Sequence, residues 1–143
     1  MLRYAWPVMM SRPPADVFPY LTDPAKQALY SDVPMRQITP GVLATGSRME
    51  VTFGMGPFKA IIGLEMTAVE ENTRMAFSTY SGPIHWQGEY LLKPADDGGT
   101  RLSHEGTMVF TGLWRLVEPL VGAELKRNGA KEMERMKVAV EHA

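Results

Sequence analysis

Apolar and polar residues alternate along most of this chain, and the period changes only near the C-terminus. Leu2, Tyr4, Trp6, Val8 and Met10 share one parity and predict a first strand over Leu2–Met10. Pro13-Pro14 ends it and opens a short helix over Ala15–Leu21, which Pro19 shortens or kinks. Thr22 or Asp23 is placed to cap a second short helix, Pro24–Tyr30. A weak strand at Met35–Thr39 follows, then a strong one at Arg48–Met55 with Met49, Val51, Phe53 and Met55 on one face. Gly56-Pro57 turns into Phe58–Val69, where Phe58, Ala60, Ile62, Leu64 and Met66 align. Glu71-Asn72, Ser81-Gly82-Pro83 and Asp96–Gly99 separate three further strands: Arg74–Tyr80, Ile84–Lys93 and Thr100–Phe110. Short turns between successive half-apolar strands imply an antiparallel meander with one buried face.

After Phe110 the spacing becomes helical. Leu116, Leu120, Leu125, Met133, Met136 and Val140 recur with charged residues between them, and Pro119 stands where a long helix can begin. Gly129 falls on the apolar face, where a glycine costs about 1 kcal/mol relative to Ala. It is expected to leave room under the helix for a ligand, to let the helix pack closely on a strand, or to mark a break at Asn128-Gly129.

Composition narrows the function classes. The 143 residues suit a single domain spanning 1–143, and 15 basic against 16 acidic side chains give a net charge of -1. That balance builds no basic stripe for nucleic acid. With 0 Cys there is neither a disulfide nor a thiolate site, and His85, His104 and His142 are too scattered for a zinc motif. No metal or cofactor is expected. The opening MLRYAWPVMM reads as a strand rather than a signal peptide, and no apolar run reaches the roughly 18–20 residues of a membrane span. The expectation is a soluble, cytoplasmic protein with no integral membrane association; oligomeric state is not written in the chain.

Several stretches carry a family resemblance in the right order: PPADVFPYLTDP from Pro13 to Pro24, GSRMEV from Gly46 to Val51, GEYLLKP and GGTRLSHE between Gly88 and Glu105, and GLWRLVEPLV from Gly112 to Val121. Over essentially its whole length the chain resembles the START/SRPBCC helix-grip superfamily, close to its polyketide-cyclase-like branch. The resemblance implies an α+β helix-grip fold. A curved antiparallel sheet of about seven strands would wrap a long C-terminal helix, with two short helices after strand one and a cavity between sheet and helix. It also implies hydrophobic ligands, with catalysis in a minority of members.

The inward parities supply a candidate lining: Met49, Phe53, Met55, Ile62, Leu64, Met66, Phe77, Trp86, Tyr90, His104, Met108 and Phe110, with Leu125, Gly129 and Met133 from the helix. A count of 11 Met fits either adaptable ligand contacts or a filled core. His104 interrupts an apolar row and is expected either to meet a ligand or act as a base, or to be a core histidine satisfied by a tyrosine or backbone group. Tyr90 and Tyr80 are the candidate partners, Tyr80 lying on the parity opposite Phe77, toward solvent or the cavity mouth. Glu50, Glu65, Glu89 and Glu105 lie on the opposite parity, facing Arg48, Lys59, Lys93 or Arg101. Trp114, Leu113 and Leu116 are placed to form a lid with Leu29-Tyr30 and Pro34-Met35.

Three functions follow. The first is a binder or carrier of a small hydrophobic molecule, with His104 and Tyr90 orienting one polar end. The second, resting on the resemblance, is a cyclase, aromatase or dehydratase with His104 as general base and Tyr90 or Arg48 polarising a carbonyl. The third is a protein-interaction module with a filled core.

Overall fold

The computed structural model describes residues 1–55 and 57–143, with the side chains of Met55 and Phe58 outside the description. Strand β1 (Leu2–Met10) is followed by three one-turn helices, α1 (Pro14–Val17), α2 (Pro19–Thr22) and α3 (Pro24–Gln27). The strands β2 (Met35–Gln37), β3 (Arg48–Met55), β4 (Phe58–Glu70), β5 (Arg74–Ser81), β6 (Ile84–Pro94) and β7 (Thr100–Phe110) come next. A 3₁₀ turn at Gly112–Leu116 leads into the long helix α4 (Glu118–Glu141). The turn expected at Gly56-Pro57 falls partly on Gly56, outside the described residues.

The seven strands form one sheet in the order β1-β7-β6-β5-β4-β3-β2, every neighbouring pair antiparallel. Only β1 departs from sequence order, pairing along its whole length with the last strand. Register shifts at Gly63/Leu64 and Met66/Ala68 break the β4–β5 ladder. Such irregularities bend a strand and increase its twist, which helps the sheet to curl around α4. The apolar parities face inward and the charged ones outward. On the outer face Arg48 pairs with Glu65 at 3.0 Å, Arg74 with Glu89 at 2.8 Å, and Arg36 with Glu50.

Local chemistry explains the helix boundaries. Pro19 splits the first predicted helix into α1 and α2, since a proline cannot donate within a helix. Asp23 caps α3 by accepting from the Ala25 N–H at 3.0 Å. At the β4–β5 turn, Asn72 takes a positive φ of 62°, a conformation its short polar side chain tolerates. The 3₁₀ turn differs from the expected lid. Leu113 and Leu116 are 81% and 78% exposed, and neither they nor Trp114 borders the cavity. The 3₁₀ turn instead serves as the connection into α4.

Helix α4 is unbroken through Asn128-Gly129. A methyl group at Gly129 would overlap the outer edge of the Trp6 indole on β1. The glycine therefore serves close packing of α4 on β1, and the ligand-space expectation gives way: an aromatic ring occupies that room. Gly129→Ala sets two effects against each other. Helix propensity would gain about 1 kcal/mol, whereas overpacking a well-fitted contact costs typically about 1–3 kcal/mol. Trp6 is stacked on Tyr4 at 4.2 Å and cannot give way freely, so a net loss is expected, read as a lower urea midpoint. A higher midpoint would show that Trp6 relocates without cost.

Candidate functional site

Between the concave sheet face and α4 the side chains leave a cavity of about 530 Å³. Every strand contributes a lining side chain, β2 through Met35 opposite Val51, and α4 contributes Leu125, Gly129, Glu132 and Met133. Several lining residues are themselves exposed: Asp32, Pro34, Met35, Gly54, Lys59 and Asn128. These mark the mouth, where the segment after α3, the β3–β4 hairpin and the middle of α4 meet. This unfilled volume contrasts with the expectation of a core filled by methionines and aromatics.

Of the predicted lining, Met49, Phe53, Leu64, Met66, Phe77, Trp86, Tyr90, His104, Met108, Leu125, Gly129 and Met133 border the cavity. Ile62 and Phe110 do not. They are 0% and 3% exposed and closed in by core neighbours. Both have inward parity, but parity does not say how far along a strand a cavity extends. Met55 has its side chain outside the described residues. Leu2, Tyr4, Trp6, Gln27, Tyr30 and Glu132 join the lining and were absent from the sequence-based set. Two signals were present. Tyr4 and Trp6 share the inward parity of β1. Glu132 follows Leu125 and Gly129 and precedes Met136 at i+4, i+7 and i+11, which places an acid on the apolar helix face.

One tyrosine organises the floor. The Tyr4 side chain, from the edge strand β1, reaches across β7 to β6. Its hydroxyl lies against Gly106 and Gly88, cross-strand partners where any Cβ would collide with it. Trp86 Nε1–H donates to the Tyr4 oxygen at 2.7 Å, and Tyr4 Oη stands 3.0 Å from His104 Nε2. In the tautomer that carries its proton on Nδ1, the neutral imidazole accepts from Tyr4 at Nε2 while Tyr4 accepts from Trp86. Burial drives the His104 imidazolium pKa down to about 3. Burial also pushes the Tyr4 hydroxyl well up, against the opposing Trp86 hydrogen bond.

A tyrosine satisfies His104, and the geometry corrects which one. Its hydrogen-bond partner is Tyr4, whereas Tyr90 stacks on the ring at 4.0 Å and 20°. Tyr80 is 42% exposed on the outer side, under the Arg48 guanidinium. Nor is His104 suited to general-base work. Its Nε2 is already engaged by the Tyr4 hydroxyl, and burial makes its conjugate acid too strong to form near neutral pH.

The opposite, mouthward end is polar. Arg135 Nε donates to the Tyr30 carbonyl at 2.8 Å and its Nη2 meets Asp32 at 3.2 Å, fastening the segment after α3 to α4. Within this cluster Glu132 has its carboxyl pKa raised to about 7, first by burial. Arg135 and the Ser31 hydroxyl draw it back part of the way, and Asp32 acts with burial. Tyr90 retains some accessible surface although it is enclosed, because that surface faces the cavity; burial pushes its hydroxyl well up. Gln27 donates from Nε2 to the Leu21 carbonyl at 2.6 Å, while its buried Oε1 has no partner among the described residues. No group of three or more His, Asp or Glu among the described residues is arranged to hold a metal ion.

The two shifted groups pull stability in opposite directions with pH. Folded His104, at about 3 against the usual 6.5, holds fewer protons than the unfolded chain between those values, so its contribution rises with pH there. Folded Glu132, at about 7 against the usual 4.5, holds an extra proton, so its contribution is full below 4.5 and is lost as pH rises through about 7. Glu132→Gln should therefore gain stability relative to the parent progressively across that window, measured by urea denaturation at stepped pH. A constant difference across the window would show that the carboxyl titrates normally.

Residues 5–141 match the family described as polyketide cyclase / dehydrase and lipid transport. Among curated proteins, none matches the chain. Solved structures share the fold. TTHA0849 from Thermus thermophilus is 16% identical with a TM-score of 0.75, over 96% of each chain. Ara h 8.0201 is 16% identical with a TM-score of 0.71, over 99% of this chain and 98% of its own. DynU16, from the dynemicin biosynthetic locus, is 20% identical with a TM-score of 0.70, over 99% of this chain and 48% of its own. No described helix is long and apolar enough to cross a membrane. A helix-grip architecture and a family match over nearly the whole length lead to one statement: the chain belongs to the polyketide cyclase / dehydrase and lipid transport family.

Proposed function

We propose that the protein binds or carries a small hydrophobic molecule, lipid-, polyketide- or aromatic-like, in the cavity between sheet and α4. The observation that carries this reading is the cavity itself. About 530 Å³ lies between aromatic and methionine side chains, within the roughly 300–1,000 Å³ of small-molecule sites. Apolar walls supply affinity at about 25 cal/mol per Å² of area removed from water. The polar groups are few and gathered mainly toward the mouth, as suits orientation of one end of a ligand. Native mass spectrometry of protein purified from its own host should reveal a stoichiometric small molecule, identified after denaturing extraction. Leu125→Trp, which fills the space from α4, should weaken binding of the extracted compound at least roughly tenfold while the urea midpoint stays within error. Unchanged affinity would place the ligand elsewhere.

The Glu132 carboxyl favours a second reading, an enzyme acting on a polyketide-like substrate. A carboxyl with its pKa near the working pH is suited to general acid–base catalysis, and Glu132 replaces His104 in that role. Turnover of a poly-β-ketone should rise as pH passes through about 7, where Glu132 becomes a base, and should be abolished in Glu132→Gln. Turnover that survives the substitution removes this reading.

A further inference from the structure

The outward side of the junction between the 3₁₀ turn and α4 is apolar. Leu113, Leu116 and Leu120 are 81%, 78% and 67% exposed, and Pro119 is exposed beside them. Spacings of three and four along consecutive helical turns place the three leucines on one side of the chain. Val121 and Gly122, on the other side, are buried against the fold. A single exposed leucine needs no explanation, but a cluster of them on one element marks a contact surface. The charges around it are sorted. Between Leu113 and Lys131 every exposed charged side chain is basic: Arg115, Lys126, Arg127 and Lys131. The acids of this stretch, Glu118 and Glu124, are half-buried. Glu118 pairs with the Met1 ammonium at 3.4 Å, and Glu124 borders the cavity. A chain of net charge -1 thus gathers its exposed cations next to bare leucines.

We propose that this face docks peripherally on an anionic lipid bilayer, with Leu113, Leu116 and Leu120 entering the interface and the flanking cations lying over the phosphates. The inference is independent of what the cavity holds. The charges select a membrane over a second copy of the chain. Two copies meeting through this face would present the same patch to each other and bring Arg115, Lys126, Arg127 and Lys131 against their own counterparts. Three leucines also fall well short of the roughly 800 Å² per partner that a stable protein interface buries. A bilayer asks for less. A few inserted apolar side chains suffice when a basic margin, carried on long stems, keeps its charge at the headgroups. The face is also continuous with the cavity mouth. Asn128, an exposed residue of the mouth, stands in α4 between Arg127 and Lys131. Docking through this segment holds the opening close to the headgroups, where an apolar molecule passes between bilayer and cavity with little exposure to water.

Co-sedimentation of the intact protein with vesicles tests it, phosphatidylcholine alone against an equimolar mixture of phosphatidylcholine and phosphatidylserine. The protein should pellet with the mixed vesicles and stay in solution with the neutral ones, and added salt should weaken the attachment. Leu113→Ser with Leu116→Ser should weaken it at least roughly tenfold, and Lys126→Gln with Arg127→Gln by a similar factor. All these positions are exposed, so the urea midpoint should not move. With 0 Cys in the chain, a polarity-sensitive thiol dye reports one introduced position at a time. Its emission should shift to the blue on mixed vesicles at Leu120→Cys and stay unchanged at Ile61→Cys, an outward position of β4 that is 60% exposed. Absence of pelleting with mixed vesicles overturns the proposal, as do leucine variants that pellet like the parent or equal dye shifts at the two positions. A dimer in lipid-free buffer that Leu113→Ser with Leu116→Ser dissolves would assign the face to a second copy and overturns it too. None of these outcomes depends on whether the cavity holds a ligand.

Discussion

A single hydroxyl group joins three strands on the inner face of the sheet. Tyr4 lies on the edge strand β1, reaches across Gly106 of β7 and meets Trp86 of β6. An imidazole placed in an apolar wall must find a partner or leave a polar atom stranded, at a cost of about 1–3 kcal/mol. The Tyr4 hydroxyl meets that need for His104, and the indole N–H of Trp86 donates to the same tyrosine oxygen. The arrangement requires bare backbone beneath it, and Gly88 and Gly106 face each other across the β6–β7 ladder to provide it. The aromatic floor depends on this contact. Tyr4 orients Trp6 by stacking, Trp6 seats α4 at Gly129, and α4 closes the cavity.

Two classes of information were legible in the residues to different degrees. Strand parity and turn chemistry located all seven strands and the inward face, because a half-buried antiparallel sheet writes its burial directly as a period of two. The extent of the cavity was not written the same way. Ile62 and Leu64 share parity, strand and chemistry, yet only Leu64 borders the space. Their difference arises from what the other elements place above them. Tyr4 was on the correct face, but its reach across β7 depends on a pairing between the first and last strands that no local pattern encodes. Gly129 illustrates the converse: its position on the apolar helix face was evident, while the ring that fills the gap comes from more than a hundred positions earlier in the chain.

The cavity is divided by charge regulation. At its floor, burial keeps an imidazole neutral; toward its mouth, burial holds a carboxyl protonated into the neutral range. Both shifts have the same physical origin, the cost of charge away from water, and both remove fixed charge from a space otherwise bounded by rings and thioethers. At the mouth, Arg135 and Asp32 neutralise one another while tying the segment after α3 to the helix, and Lys59 and Glu124 add one charge of each sign to the lining.

The Trp86 contact has an optical consequence. Of the chain's 3 tryptophans, Trp6 and Trp86 border the cavity and Trp114 does not. Indole emission responds to local polarity and to hydrogen bonding at Nε1, and Trp86 is bonded there to the hydroxyl that organises the floor. Two emitters are thus built into the walls of the cavity, with a third outside its lining. A molecule entering the cavity would change the surroundings of both indoles, so the protein's own fluorescence would register it without any label.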